Sequence, residues 1–176
     1  MAGEARNVSR RVVIADAGPL IALARIDSLG LLRGLFGRVC ITATVRNEIL
    51  PVTSAFSDAD VLTRALAEGW IDVVDAPQND WKPLNPGVDA GEASAIRAAC
   101  SWRDEGDAVL LVMDDRAGRL EARSRGLALI GTAAVLGLAK TEGLIPAARP
   151  LLERLTQSGY FLGPAVIAAV LADVGE

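Results

Sequence analysis

The sequence predicts an α/β fold, a three-layer α/β/α sandwich with a central parallel sheet of about five strands. Short, wholly apolar strand segments alternate with helical segments, which is the pattern of a parallel sheet covered by helices on both faces. The composition is 51% hydrophobic but only 4% aromatic, so small and branched side chains dominate, and such side chains suit helices packed on a sheet.

Length, charge and residue usage limit the possible functions. The 176 residues fit one domain, expected over 11–176 after a disordered N-terminus at 1–10. A net charge of −4 argues against broad adhesion to nucleic acid or membranes but does not exclude a local basic patch. The chain has no histidine, which excludes the usual Ser-His-Asp and Cys-His catalysis and most zinc sites.

Localisation follows from the apolar segments and the cysteines. The longest uncharged stretches, 127–139 and 160–172, are shorter than the roughly 20 residues of a membrane span, and no signal peptide is recognisable. Cys40 and Cys100 lie in an apolar strand and an apolar helix, as expected for buried, reduced thiols. We therefore expect a cytoplasmic protein that has no contact with a membrane.

The elements can be placed in order from apolar runs and from helix-capping and helix-ending residues. Proline suits a first helical position, glycine commonly follows a helix end, and three prolines make 76–88 a surface loop. Strands are expected at 11–16, 39–41, 70–74, 109–113 and 127–130. Helices are expected to begin at about 19, to span 27–37, to run from 42 or 44 to Pro51, and to run from a capping pattern at 57–60 to Gly69. Further helices are expected to begin at 89–92, to end at Arg125, and to span about 132–142, 146–158 and 163–174.

Acidic residues fall where the strands end. Asp16 follows the first strand, Asp114 and Asp115 follow the fourth, and Glu48 lies in the first helix after the second. Glu92 lies in the first turn of the helix that leads to the fourth strand. Open parallel sheets bind ligands at the carboxyl ends of their strands, so these acids meet in one cleft if the first, second and fourth strands are neighbours.

Clustered carboxylates need a cation to compensate their charge. An all-oxygen site with bound waters suits Mg²⁺ or Mn²⁺, and such an ion can activate water and stabilise a phosphoryl group during its transfer. The candidate metal ligands and catalytic residues are Asp16, Glu48, Glu92, Asp114 and Asp115.

Each acid also has a structural interpretation. Asp16 could accept backbone N–H groups of the next helix, Glu48 could be solvated, and one aspartate of the 114–115 pair could cap a helix. Glu92 has the strongest such alternative, because “DAGE” at 89–92 fits a capping box. The recurrence of acids on strands that would share one cleft favours the metal site.

The sequence lacks two common phosphate-binding motifs but has arginines beside the acids. Neither GxGxxG after the first strand nor GxxxxGK[ST] occurs, so the usual phosphate cradles are missing. Arg116, Arg119 and Arg123 share one helix face beside the acids. Arg116 and Arg119 are candidates to bind a substrate phosphate, whereas Arg123 is better explained as a solvated residue.

Four segments together resemble the PIN-domain family, most closely its branch of small prokaryotic proteins related to VapC toxins. They are “VVIADAGPLIALARI”, “ITATVRNEI”, “DAGEASAI” and “VMDDRAGRLEARSRGLALIGTAAVLGLAKTEGLI”, in that order. The resemblance implies a Mg²⁺- or Mn²⁺-dependent endoribonuclease that cuts single-stranded RNA. By position it makes Asp16, Glu48 and Glu92 the first three acids and the 114–115 pair the fourth, and it places the Thr132 hydroxyl near the site, where it could bind substrate.

The resemblance further implies a toxin with a cognate antitoxin protein, and a homodimer. The helices at 19–25 and 27–37 carry more apolar residues than one buried face requires, so part of their surface could seat such a partner, with ordinary core as the alternative. Gly18 departs from the family pattern, which commonly has Ser or Thr there and so gains a hydrogen bond to the acids. A non-catalytic PIN-like module that binds nucleic acid or protein, and a small-molecule nucleotide-binding domain, are the competing functions.

Overall fold

Five parallel strands form the centre of the molecule, in the order β3-β2-β1-β4-β5. The computed structural model describes residues 10–53 and 58–176. The strands are β1 (Arg11–Ala15), β2 (Val39–Thr42), β3 (Ile71–Val74), β4 (Ala108–Val112) and β5 (Ala128–Ile130). The helices are α1 (Ala17–Arg25), α2 (Gly30–Phe36), α3 (Ala43–Thr53), α4 (Asp58–Ala67), α5 (Ala90–Asp104), α6 (Arg116–Ser124), α7 (Thr132–Thr141), α8 (Arg149–Gln157) and α9 (Pro164–Asp173).

The sheet separates two hydrophobic cores. Ile14 and Leu111 belong to the core that α5 and α6 cover, whereas the next residues along the strands, Ala15 and Val112, belong to the core under the other helices. This alternation follows from the pleat, which turns successive side chains to opposite faces. The arrangement confirms the predicted α/β sandwich, and β1 has β2 and β4 as its neighbours, as the predicted cleft requires.

Several helix ends differ from the predicted ones. Helix α1 begins at Ala17 rather than at about 19, so Asp16 occupies its cap position instead of ending the strand. Helix α2 begins at Gly30 rather than at 27, because Asp27 has a left-handed backbone with a φ of 54° that interrupts a helix. Helix α3 does not stop at Pro51 but continues to Thr53.

Some predictions concern residues beyond those that the structure describes. The segment expected to be disordered, 1–10, lies outside them apart from Arg10, which donates to Asp107 from its backbone N–H and its guanidinium. The capping residue expected at Ser57 also lies outside them. Both cysteines are free, but Cys40 is half-buried whereas Cys100 is buried. Among the described helices, none is both long and apolar enough to cross a bilayer.

The proline-containing segment after β3 is a loop, as predicted, and a buried side chain holds it. Glu121 of α6, which is 2% exposed, accepts backbone N–H groups of Leu84 and Asn85 at 3.0–3.1 Å. Arg125 pairs with the same carboxylate at 2.8 Å and donates to the Lys82 carbonyl. The loop is therefore attached to α6 just before the chain enters α5.

Candidate active site

One cavity of about 810 Å³ lies where β1 and β4 end. The structure brings all five predicted acids to it. A sixth carboxylate belongs to a residue that the sequence indicated only as a helix cap. The six are Asp16, Glu48, Asp89, Glu92, Asp114 and Asp115.

Asp16 is a buried carboxylate at the end of the central strand. Only 7% of the residue is exposed. Burial is the main cause that raises its pKa from 3.8 to about 7, and the negative charges of Asp89 and Glu48 act in the same direction. Backbone N–H groups at the start of α1 lower this pKa but do not offset the burial. The helix start therefore stabilises the Asp16 charge only in part, and a cation would stabilise it further.

Glu48 reaches the cavity from α3, and its carboxylate lies directly against Gly91. A Cβ atom on Gly91 would lie 2.2 Å from Oε2 of Glu48, a distance that no side chain could accept without moving the carboxylate. The Gly91 N–H also donates to Glu48 and lowers its pKa, although burial and the Asp89 charge raise that pKa overall. The glycine of “DAGE” thus allows α3 to place an acid against the first turn of α5.

Glu92 forms the capping box and lines the cavity as well. The Glu92 N–H donates to Oδ1 of Asp89 at 2.8 Å, and the Asp89 N–H donates to Oε2 of Glu92 at 3.1 Å. The residue is only 4% exposed, and burial is the main cause that raises its pKa to about 7, with the charges of Asp89, Asp115 and Asp16 adding to it. The capping interpretation is correct, but it does not remove Glu92 from the acid cluster.

The adjacent aspartates have different partners. Oδ1 of Asp115 accepts the backbone N–H groups of Ala117 and Gly118 at 2.6 and 3.2 Å, so Asp115 caps α6. Oδ1 of Asp114 accepts the Thr132 N–H at 2.9 Å, and its Oδ2 accepts the Thr132 hydroxyl. Asp114 is therefore oriented by the start of α7, whereas Asp115 is occupied by its own helix.

Two residues around Asp114 explain how it is held. A Cβ on Gly131 would lie 2.7 Å from Oδ1 of Asp114, so the glycine of “IGT” lets the carboxylate reach the first turn of α7. The hydroxyl of Tyr160, the only tyrosine in the chain, donates to Oδ2 of Asp114 at 2.6 Å. This hydroxyl lies 3.8 Å from where a Cβ of Gly18 would be. The Tyr160 hydroxyl thus lies beside position 18, where the family commonly has Ser or Thr and this chain has glycine.

Sequence reasoning missed Tyr160 and, as a cavity residue, Asp89. Nothing in the sequence placed the turn after α8 at the end of the sheet, so Tyr160 had no visible link to an acid 46 positions away. The capping box could have indicated Asp89, because it puts that carboxylate within reach of Glu92.

Two arginines of α6 also line the cavity. Arg119 Nη1 donates to the Met113 carbonyl at 2.8 Å, which holds the guanidinium near the end of β4. Burial and the neighbouring Arg123 lower the pKa of Arg119, and the Asp114 charge acts against them. Arg116 is exposed at the cavity, and Arg123 is exposed too, as its interpretation as a solvated residue predicts.

The charge of the cavity fits a divalent cation. None of the ion pairs formed within 10–53 and 58–176 includes any of the six carboxylates. No three acids among these residues converge into a complete ligand set. Mg²⁺ is commonly held by one or two carboxylates and keeps several waters, so the oxygen donors fit a hydrated ion better than a cage of protein ligands.

Comparison with known proteins agrees with this geometry. A family model described as “DUF3368: PIN domain” matches residues 12–176, which is nearly the whole chain. No curated protein matches the chain. PIN domains are generally nucleases and typically use divalent metal ions. The match spans every strand and helix around the acidic cavity except for the first residue of β1, and the chain belongs to the PIN-domain family.

Proposed function

We propose that this PIN domain is a Mg²⁺- or Mn²⁺-dependent endoribonuclease that cuts single-stranded RNA. The observation that carries the proposal is a cavity lined by six carboxylates, none of them in an ion pair among the described residues, together with two arginines. Carboxylates are suitable ligands for a hydrated divalent ion, and guanidinium groups are suitable ligands for phosphate.

The acids and their hydrogen-bond donors would form the metal-binding part of the site. When bound, a divalent ion supplies a water of lowered pKa and stabilises negative charge on a phosphate. Asp16, Glu92 and Asp114 would surround the hydrated ion and bind it directly or through its waters, because Asp16 and Glu92 are the buried acids and Asp114 is fixed in orientation. Thr132 is fully buried and does not line the cavity, so its hydroxyl is not available to bind substrate as the sequence predicted. Instead, Thr132 and Tyr160 would position Asp114 through their hydroxyl groups.

The two arginines of the cavity would bind the substrate, and Glu48 would support the cation. Arg119 is held near the end of β4, where its guanidinium could contact the phosphate that is cut. Arg116 is exposed and could contact a neighbouring phosphate. Glu48 would add negative charge on the α3 side and so strengthen the binding of the cation.

Cleavage assays test this function directly. The purified protein should cut labelled single-stranded RNA with Mg²⁺ or Mn²⁺, stop when EDTA is added, and resume when the ion is supplied in excess. Double-stranded RNA and single-stranded DNA serve as comparison substrates. A non-catalytic binding module, which Gly18 and the absence of a convergent acid triple among the described residues favour, would instead bind RNA without cutting it, whether or not Asp16 is intact.

Glu92→Gln separates the capping role of this residue from a metal-binding role. Glutamine can accept the Asp89 N–H as glutamate does, so capping alone predicts no change. We expect Mn²⁺ to bind about tenfold more weakly, a loss of about 1.4 kcal/mol. The metal-free melting temperature should be no lower than that of the wild type, because one charge leaves a repulsive cluster. Calorimetric titration and metal-free melting measure the two quantities, and wild-type Mn²⁺ affinity in the variant would leave Glu92 as a cap only.

We also propose that the protein is the toxin of a toxin–antitoxin pair and forms a homodimer. Support comes from the resemblance to VapC toxins and from apolar residues of α1 and α2 that the core only partly covers. Expression should arrest growth unless the neighbouring gene is expressed with it, and light scattering should show a dimer at micromolar concentration. The partly covered residues are Ile21, Leu31, Leu35 and Phe36, whereas Leu20, Leu23, Leu29 and Leu32 are buried as ordinary core.

A further inference from the structure

The turn between α8 and α9, together with the start of α9, forms an apolar wall of the acidic cavity. Phe161, Leu162 and Val166 line this wall, beside the Tyr160 hydroxyl that contacts Asp114. Phe161 is 88% exposed, the highest value among the large apolar side chains that the structure describes. An aromatic ring therefore faces water next to the acids.

The residues around Phe161 hold the turn in place. Tyr160 and Leu162 pack against the larger hydrophobic core, and the Tyr160 hydroxyl bonds to Asp114. Helix α9 begins two residues after Leu162 and packs inward through Val170 and Leu171. Phe161 belongs to neither of the two cores described above. The packing of Tyr160 and Leu162 thus holds the turn that carries the Phe161 ring.

We propose that Phe161 is a stacking platform for one unpaired base of the RNA, next to the phosphate held at the acids. This inference rests on the proposed nuclease function and names part of its substrate site. The cavity offers carboxylates for a cation and arginines for phosphates, and its apolar wall matches the remaining part of a nucleotide, the flat base. Stacking on an aromatic ring tolerates any base but requires that the base is free of a duplex.

A protein partner is the other occupant that an exposed ring could have. A specific protein interface needs a broad patch, with about 800 Å² buried on each partner. The next most exposed large apolar residue, Leu84, does not line this cavity, and Phe161 stands beside charged groups that suit a nucleotide. The position of Phe161 in the lining of the substrate cavity therefore favours RNA.

Binding can be measured without cleavage in protein that also carries Asp16→Asn. Anisotropy of labelled single-stranded RNA in Mg²⁺ should show about tenfold weaker binding for Phe161→Ala, which lies within the range for loss of one stacked base. Phe161→Trp should bind at least as tightly as the parent, and Phe161→Leu should resemble alanine because it is apolar without a ring. Residue 161 is exposed, so these variants should fold as the parent does.

Arg116→Ala is the matched control at the same cavity. It should weaken binding and reduce the dependence of affinity on salt, because it removes a phosphate contact. Phe161→Ala should leave that dependence unchanged. Strands with a single abasic nucleotide then identify the base: at one position, removal of the base should abolish the difference between Phe161→Ala and the parent.

Each possible result decides the inference. Equal affinity of the alanine and parent proteins for every strand would overturn the stacking role while leaving the nuclease function intact. If affinity for RNA is unchanged but Phe161→Ala loses a protein partner, the ring belongs to a protein interface. Wild-type protein that neither binds nor cuts RNA would overturn the proposed function and the stacking role together.

Discussion

Asp16→Asn is expected to abolish RNA cleavage and to stabilise the metal-free protein at neutral and higher pH. The carboxylate is buried at the end of the central strand, in a cavity where no described ion pair compensates it. Asparagine keeps the shape of the side chain but removes its charge, so Mg²⁺ and Mn²⁺ should bind much more weakly. Asp16 is one of the acids that would hold the ion, so we expect a loss of activity of at least about a hundredfold, which the loss of a residue behind a metal ligand can already cause.

The stability effect depends on pH in a defined direction. The pKa of Asp16 is raised from 3.8 to about 7, so the folded state holds its proton more tightly than the unfolded chain. The stability that this proton provides is complete at low pH and is lost as the pH rises towards 7. For this group the loss is at most about 1.4 kcal/mol per pH unit.

Urea unfolding in EDTA at several pH values between about 4 and 8 measures this effect. The stability of the wild type should fall with increasing pH more steeply than that of Asp16→Asn, which has no proton to lose at this position. The Asp16 charge also raises the pKa of Glu92, so the difference between the two curves contains this coupling as well as the titration of Asp16 itself. Parallel curves for the two proteins would show that ionisation of Asp16 does not destabilise the folded state.

Asp114→Asn and Asp115→Asn are expected to differ strongly although the residues are adjacent. Asp114 accepts hydrogen bonds from the Thr132 N–H and from the hydroxyl groups of Thr132 and Tyr160, whereas the cap of α6 is Asp115. Asparagine can still accept the N–H, and the hydroxyls can reverse their bonds, so stability should change little while the charge is lost. We expect about a hundredfold loss of cleavage, as for Asp16.

Asp115→Asn is the matched control. Asparagine caps helices about as well as aspartate, so α6 should keep its first turn. Cleavage should fall far less than in Asp114→Asn. Single-turnover rates, Mn²⁺ titration and melting temperatures of both variants give the comparison. Equal losses would mean that both carboxylates hold the ion, and a lower melting temperature only in Asp115→Asn would reveal a cap that asparagine cannot replace.

Much of the fold could be predicted because the determinants are local. Apolar strands between helices are visible in the sequence, and the order of acids after strand ends placed five carboxylates in one cavity. Helix starts were less accurate: the left-handed Asp27 ends α1, where the Asp27 and Ser28 N–H groups donate to the carbonyls of Ala24 and Leu23, and no glycine marks this position in the sequence. Tyr160 could not be predicted, because its contact with Asp114 exists only after α8 and α9 have packed onto the sheet.

Glu121 shows what distinguishes a structural buried acid from those of the cavity. It is as buried as Glu92, but two backbone N–H groups and Arg125 outweigh the effect of burial and lower its pKa. Removing one partner of such a pair is destabilising, whereas replacing both by apolar residues is often neutral. Glu121 also accepts the Leu84 and Asn85 N–H groups, which an apolar pair would leave without an acceptor, so among related chains the charges at 121 and 125 should be kept together. Asp16, which has no such partner within the described chain, should resist substitution in lineages that keep activity.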